Sequence, residues 1–335
     1  MDLQDVKFDG WPHIIDTRQF KRDWVEKVLF PLADKMERMF ANRLCNTLLA
    51  GKEMISLFVA ESTRTRASFE ISMRRLGGQV IFGSEAAKHF SSMAKGKDES
   101  LEDTIITLSE YGADVVVLRH SEEGGAERAA AVSDIPIINA GDGPGQHPTQ
   151  ALLDLYAISK HKRKIDGISV AMMGGLAGNR AVCSLAYQLA EYDVNIYFVS
   201  PEDKKIKPGI KEYLSKRGIW YAEVKDIREI AHLIDVFYQT RTQTNLGTEV
   251  WDRTDENHGF TTINKQVLDL AKPDSIILHP LPCTSEIIRA EVDSDPRAVY
   301  LKTKNNKMSQ VKGGLYIRAG LLLNVISPEL CCPLV

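Results

Sequence analysis

The sequence predicts an α/β protein of two domains, each built on a parallel β-sheet flanked by helices. Three observations lead there. The chain has 335 residues, against ~150 for an average domain. Its β-rich runs are apolar throughout rather than alternating, as in strands covered on both faces. Each run is followed by a longer stretch with helical spacing, the rhythm a parallel sheet requires.

Met54–Val59 (MISLFV) is the first strong strand, and Arg66–Leu76 reads as the helix behind it. Gln79–Phe82 (QVIF) follows two glycines. The exposed basic stretch SSMAKGKDES, residues 91–100, runs into a helix near Leu101, where Leu101, Ile105 and Leu108 take up helical spacing. Asp114–Leu118 (DVVVL) and Ile135–Asn139 (IPIIN) are the next strands, and the latter ends at AGDGPGQHP, a turn-rich break. Thr149–Lys160 is an amphipathic helix that joins the two domains. The pattern restarts at Ile168–Met173 (ISVAMM). It continues through Asn195–Val199, Tyr221–Val224, Asp235–Tyr238 and Ser275–Leu278, with helices between. Gly314–Ile326 is the last helix.

Composition narrows the function classes. Net charge is −3, with 26% charged and 44% hydrophobic residues, which is ordinary for a globular chain. No global field draws nucleic acid, so any anion site must be local. No apolar run approaches the ~20 residues of a membrane span. The start, MDLQDVKFDGWPHIID, lacks the apolar segment of a secretory signal. Cys45, Cys183, Cys283, Cys331 and Cys332 show no CxxC spacing. Neither a metal site nor a disulfide framework is expected, and a reducing cytoplasm fits.

Parallel sheets bind ligands beyond the carboxyl ends of their strands. That rule marks six loops: Ala60–Arg66, Arg119–His120, Ala140–Gln150, Gly174–Arg180, Gln239–Gln243 and His279–Thr284. In AESTRTR, Ser62 and Thr63 have helix N-cap chemistry, and Arg64 and Arg66 fall in the first turn. Cations oppose the helix dipole there, so a negative group should compensate. Free N–H groups, two hydroxyls and a guanidinium suit a phosphate; an ordinary cap with exposed arginines is the competing reading. His147 and Gln150, one turn apart, can face one spot, although a capping histidine explains His147 equally well. The prolines of His279-Pro280-Leu281-Pro282 remove N–H donors and leave carbonyls to accept from an amine. Four arginines, Arg64, Arg119, Arg180 and Arg241, stand at strand ends. Their ligands should carry several negative charges, such as a phosphate and carboxylates.

Ser62-Thr63-Arg64-Thr65-Arg66, His147-Pro148-Thr149-Gln150 and His279-Pro280-Leu281-Pro282, in this order, resemble the aspartate/ornithine carbamoyltransferase (transcarbamylase) family. The likeness runs from about residue 10 to 328. HPLP, SSMAKG, INAGDG and TRTQ are similar to the aspartate branch. The resemblance implies a transcarbamylase fold. Its carbamoyl phosphate domain would be 1–150, completed by a C-terminal helix at about 311–329, and its amino acid domain 151–310. It implies that carbamoyl phosphate binds to Ser62, Thr63, Arg64, Thr65 and Arg119. The carbamoyl group would be met by Thr65, Arg119, His147, Gln150 and the carbonyls of Pro280 and Leu281. Arg64, Thr65, Arg119, His147 and Gln150 are the implied catalytic set. Arg180, Arg241 and Gln243 would hold an amino acid, with L-aspartate the first choice, as in pyrimidine biosynthesis. The resemblance also implies a homotrimer with shared sites, Ser91 and Lys95 entering from a neighbouring subunit. No cofactor, metal, nucleic acid or membrane partner is implied, and nothing follows about a regulatory chain.

The chain departs from that pattern at Ala60-Glu61, where the acid stands one residue late. Gly175 and Ala177 replace an acid and a lysine, Cys283 replaces an arginine, and the spacer before Leu101 is longer. All lie around the second substrate. A different small amino acid or amine therefore stays open as acceptor. From another class, ISVAMMGGLAGNR offers a dinucleotide-binding turn, with Glu202 as a ribose partner, but it is GGxxG rather than GxGxxG.

Overall fold

The computed structural model describes residues 13–42, 47–81, 99–241, 259–301 and 307–331. It divides into two compact units, one of residues up to Leu153 together with those from Gly313 onward, the other running from Asp154 to Lys312.

The first unit carries β1 (Glu53–Phe58), β2 (Gln79–Ile81), β3 (Val115–His120) and β4 (Ile137–Asp142), all parallel, in the order β2-β1-β3-β4. Their apolar runs are buried because helices cover them. The helix Leu101–Glu110 packs Leu101, Ile105 and Leu108 against Ile55, Leu57, Val116 and Leu118. Ser100 caps it, accepting from the Asp103 N–H at 3.0 Å. Two helices of this unit were not expected: Phe30–Ala41 near the start, although its buried Leu32, Ala33, Met36 and Phe40 keep helical spacing, and the alanine-rich Gly125–Val132.

Two expectations shift here. The strand expected to stop at Asn139 continues to Asp142, and the loop Arg119–His120 is the end of β3 itself. Side-chain bonds make this possible. Buried Asn139 donates to the Ile15 carbonyl at 2.9 Å and accepts from the Gly141 N–H at 2.7 Å, so polar residues remain satisfied inside the sheet. The pairing of β3 with β4 slips between Leu118 and His120, a bulge of the kind that re-aims a side chain.

The second unit has β5 (Ser169–Met173), β6 (Asn195–Val199), β7 (Trp220–Val224), β8 (Val236–Gln239) and β9 (Ile276–Leu278), all parallel, in the order β7-β6-β5-β8-β9. Chain order reverses at β5 and β8, which is where an open sheet makes its crevice. Two further helices position polar residues at strand ends. α1 (Thr63–Arg75) follows β1, and α2 (Pro148–Lys162) contains the boundary between the units.

Candidate active site

In the first unit, α1 begins one residue beyond β1's short loop. Ser62 occupies the N-cap in extended conformation, φ −163 and ψ 96, yet its hydroxyl makes no capping bond. No acid lies in the first turn. Arg66 is matched by Glu70 at 3.1 Å, so the expected compensation exists for that arginine. Arg64 is exposed and Thr65 is buried. A cation at the positive end of the dipole is unfavourable by itself, and an anion there would reverse the sign. The last helix, Gln310–Ile326, holds α1 in place. Ser72 donates to the Leu315 carbonyl at 2.9 Å, and Arg318 donates to Ser68 at 2.7 Å.

Arg119 reaches from β3 to the Ala140 carbonyl at 2.9 Å. Its own carbonyl accepts from the N–H groups of Val59 and Ala60, at 3.0 and 3.2 Å, which fastens the start of the AESTRTR loop. Asp142 shapes the next loop, accepting from the Gln146 N–H at 2.7 Å and the Gly124 N–H at 3.0 Å. Gly143, at φ +43, admits no side chain: a Cβ would stand 2.7 Å from the Ser121 carbonyl oxygen. The loop delivers His147 to the start of α2, where its carbonyl accepts from the Gln150 N–H at 3.0 Å. His147 and Gln150 are both buried. Thus β1, β3 and β4, adjacent in the sheet, end in Ser62–Arg66, Arg119 and the His147 loop at one edge.

In the second unit, the ends of β5, β8 and β9 are likewise adjacent. Gly174 at φ +106 lies against Thr240, where an added Cβ would meet the carbonyl oxygen at 2.2 Å. The Gly175 N–H donates to the Arg241 carbonyl at 3.1 Å, so the glycine turn seats the backbone of Arg241. Gly174→Ala should therefore lower stability by at least ~2 kcal/mol. Denaturant unfolding checks this, and an unchanged midpoint would contradict the packing. Asn179 caps the following helix, Arg180–Leu189, accepting from Ala181 and Val182, which puts Arg180 at its first position.

That turn does not suit a dinucleotide. The N–H groups of Leu176 and Ala177 both donate to the Lys204 carbonyl, at 2.9 and 3.0 Å, and that of Gly174 donates to Val199. They are turned away from any pyrophosphate. Glu202, the expected ribose partner, is paired with Lys205 at 2.7 Å.

The His279-Pro280-Leu281-Pro282 turn is held from its histidine. Leu281, at φ 63, donates its N–H to His279 Nδ1 at 2.7 Å, and Nε2 lies 2.7 Å from Glu286. An accepting Nδ1 places the proton on Nε2, so a neutral ring donates to the Glu286 carboxylate. Glu286 also accepts from the Thr284 backbone at 3.0 Å and hydroxyl at 2.5 Å. Burial pushes its carboxyl up, but the bonds from His279 and Thr284 outweigh this and hold it down at about 2.

His279, Cys283 and Glu286 have ligand atoms within 4.8 Å of one another, a grouping that sequence spacing did not suggest. The donors fit hydrogen bonding better than a metal. A cation on Nε2 would force the ring proton onto Nδ1, against the Leu281 N–H. Burial, then the charge of Glu286, pushes the Cys283 thiol up to about 12. Sequence reasoning passed over Glu286, Thr240 and Asp154. Only Asp154 had a signal, as a lone acid in the apolar run ALLDLYAI. Gln243, Ser91 and Lys95 lie outside the described residues.

Comparisons with known proteins identify the family and the fold. Residues 12–160 match the family description "Aspartate/ornithine carbamoyltransferase, carbamoyl-P binding domain", and residues 166–317 match its "Asp/Orn binding domain". The chain is 48% identical to aspartate carbamoyltransferase 1, chloroplastic, of Pisum sativum over 92% of its own length and 77% of the relative's. It is 40% identical to the aspartate carbamoyltransferase catalytic subunit of Methanopyrus kandleri, covering 92% and 95%. Its fold matches Trypanosoma cruzi aspartate transcarbamoylase in complex with carbamoyl aspartate and phosphate, with a TM-score of 0.83 at 32% identity over 98% and 99% of the two chains.

Proposed function

The chain belongs to the aspartate/ornithine carbamoyltransferase family, and from that premise we propose that it moves the carbamoyl group of carbamoyl phosphate to the α-amino group of L-aspartate. The amine nitrogen forms a bond to the carbamoyl carbon, the bond from that carbon to the phosphate oxygen breaks, and the departing phosphate takes the amine proton. The products are N-carbamoyl-L-aspartate and phosphate. Relatives solved with carbamoyl phosphate and aspartate, and with carbamoyl aspartate, support this choice of acceptor.

The observation that carries the reading is the polar edge of the first sheet. Three adjacent strands end in an uncapped serine with Arg64, in Arg119, and in buried His147 with Gln150. Ser62, Thr63, Arg64, Thr65 and Arg119 hold the donor's phosphate. Thr65, Arg119 and His147 stabilise the carbamoyl oxygen as it gains charge, and Gln150 meets its nitrogen, as do the carbonyls of Pro280 and Leu281. Arg180, Arg241 and Gln243 take the acceptor's carboxylates. No covalent enzyme intermediate is needed, so catalysis is positioning plus electrostatic stabilisation. Incubation with carbamoyl phosphate and an amino-acid panel tests this. Phosphate release with aspartate is expected, and turnover of another amine alone would overturn the acceptor.

A homotrimer with shared sites belongs to the same proposal. A Lys95→Ala chain mixed with an Arg64→Ala chain should regain part of the activity, and mixed trimers that stay inactive while both parents fold would sink the sharing. A reducing cytoplasm is the proposed location, on the scattered spacing of the five cysteines.

A further inference from the structure

Asp154 lies on α2 one turn beyond Gln150 and is fully buried. Its Oδ2 accepts from the Tyr238 hydroxyl at 2.6 Å, and its Oδ1 accepts from Gln310 Nε2 at 2.6 Å. Gln310 Oε1 in turn accepts from the His279 N–H at 2.8 Å. All four residues are buried. The direction of this chain is fixed at its far end. The His279 backbone N–H can only donate, so Gln310 must turn its oxygen toward it, which leaves its NH₂ for Asp154. With the amide reversed, a donor would face the His279 N–H in a buried setting, an expensive arrangement.

The second branch ends at an equally placed element. Burial above all, then the charge and hydrogen bond of Asp154, hold the Tyr238 hydroxyl well above its ordinary range, so it remains a donor. Tyr238 precedes Gln239, Thr240 and Arg241, and Thr240 is bonded to Met173. A buried carboxylate seldom stabilises a fold better than a well-packed apolar side chain would. Its presence calls for something it orients.

We propose that Asp154 is a positioning residue for carbamoyl transfer: through Gln310 it sets the His279-Pro280-Leu281 backbone, and through Tyr238 the end of β8 that leads to Arg241. This rests on the carbamoyl transfer reading above. Gln310 and Tyr238 are its two intermediaries.

The test compares wild type, Gln310→Met, Asp154→Asn and Asp154→Leu, with kcat, KM for carbamoyl phosphate and the inhibition constant of inorganic phosphate as readouts. Phosphate lacks the carbamoyl group that Pro280 and Leu281 would meet. Gln310→Met should raise KM for carbamoyl phosphate and lower kcat, each by about tenfold, and leave phosphate inhibition within about twofold. Asp154→Asn keeps an acceptor for Gln310 and offers Tyr238 a donor, so it should retain most activity, whereas Asp154→Leu should behave like Gln310→Met. If Asp154→Leu does not fold, Gln310→Met decides alone. Equal weakening of phosphate and carbamoyl phosphate, or an unchanged KM and kcat in Gln310→Met, overturns the proposal. A wild-type chain without transfer activity overturns the underlying reading instead.

Discussion

Replacing Arg64 with alanine should lower kcat/KM for carbamoyl phosphate by about 10³, far more than any change in stability accounts for. This follows from its position. Arg64 is in the first turn of α1, exposed, with no acid in that turn. A cation there costs a few tenths of a kcal/mol or more against the helix dipole, and alanine is the better helix former. A residue kept only for the fold would show the opposite: lost stability and little change in rate. Steady-state kinetics with a thermal melt separates the two. Retained activity, or activity lost in proportion to stability, would remove Arg64 from the proposed donor site.

Glu286→Gln should cost about 2–3 kcal/mol at neutral pH, and the cost should vanish in acid. The carboxyl is 2% exposed and accepts from His279 and Thr284. Its folded pKa of about 2 lies below the ordinary 4.5. A depressed carboxylate stabilises the fold fully above the unfolded pKa, and that contribution disappears as pH falls through the folded one. The interval corresponds to roughly 3 kcal/mol, lost between pH ~4.5 and ~2. The glutamine variant has no such acid limb, so the difference between the two proteins should shrink as pH drops. A difference that stays constant from pH 7 to 3 would mean that Glu286 does not carry this charge in the folded state. Because His279 also fixes the Leu281 N–H, the variant should lose carbamoyl transfer as well.

The parallel sheets were legible because their strands are covered on both faces and read as unbroken apolar runs; Asn195–Val199 matches its strand residue for residue. Boundaries moved where polar side chains continue a backbone pattern. Asn139 and Asp142 carry β4 three residues beyond its apolar run, and no propensity signals that. The helix Gly125–Val132 was not visible because glycine, alanine and charge give no apolar stripe. The candidate site divides in the same way. Arg64, Arg119, His147 and Arg241 announce themselves as polar residues at the ends of apolar strands. Asp154, Gln310 and Glu286 act through partners that the chain brings together only on folding; Asp154 and Gln310 are 156 residues apart, and no local pattern links them.

The account turns on whether Arg64 and its neighbours at the edge of the first sheet receive the phosphoryl end of the donor. A crystal structure of this chain with N-(phosphonacetyl)-L-aspartate, a ligand solved on the Trypanosoma cruzi relative, measures this directly. The expected result is a phosphonate within hydrogen-bond distance of the Arg64 guanidinium and the Ser62 and Thr63 hydroxyls. A phosphonate bound elsewhere, with those groups facing solvent, would contradict it.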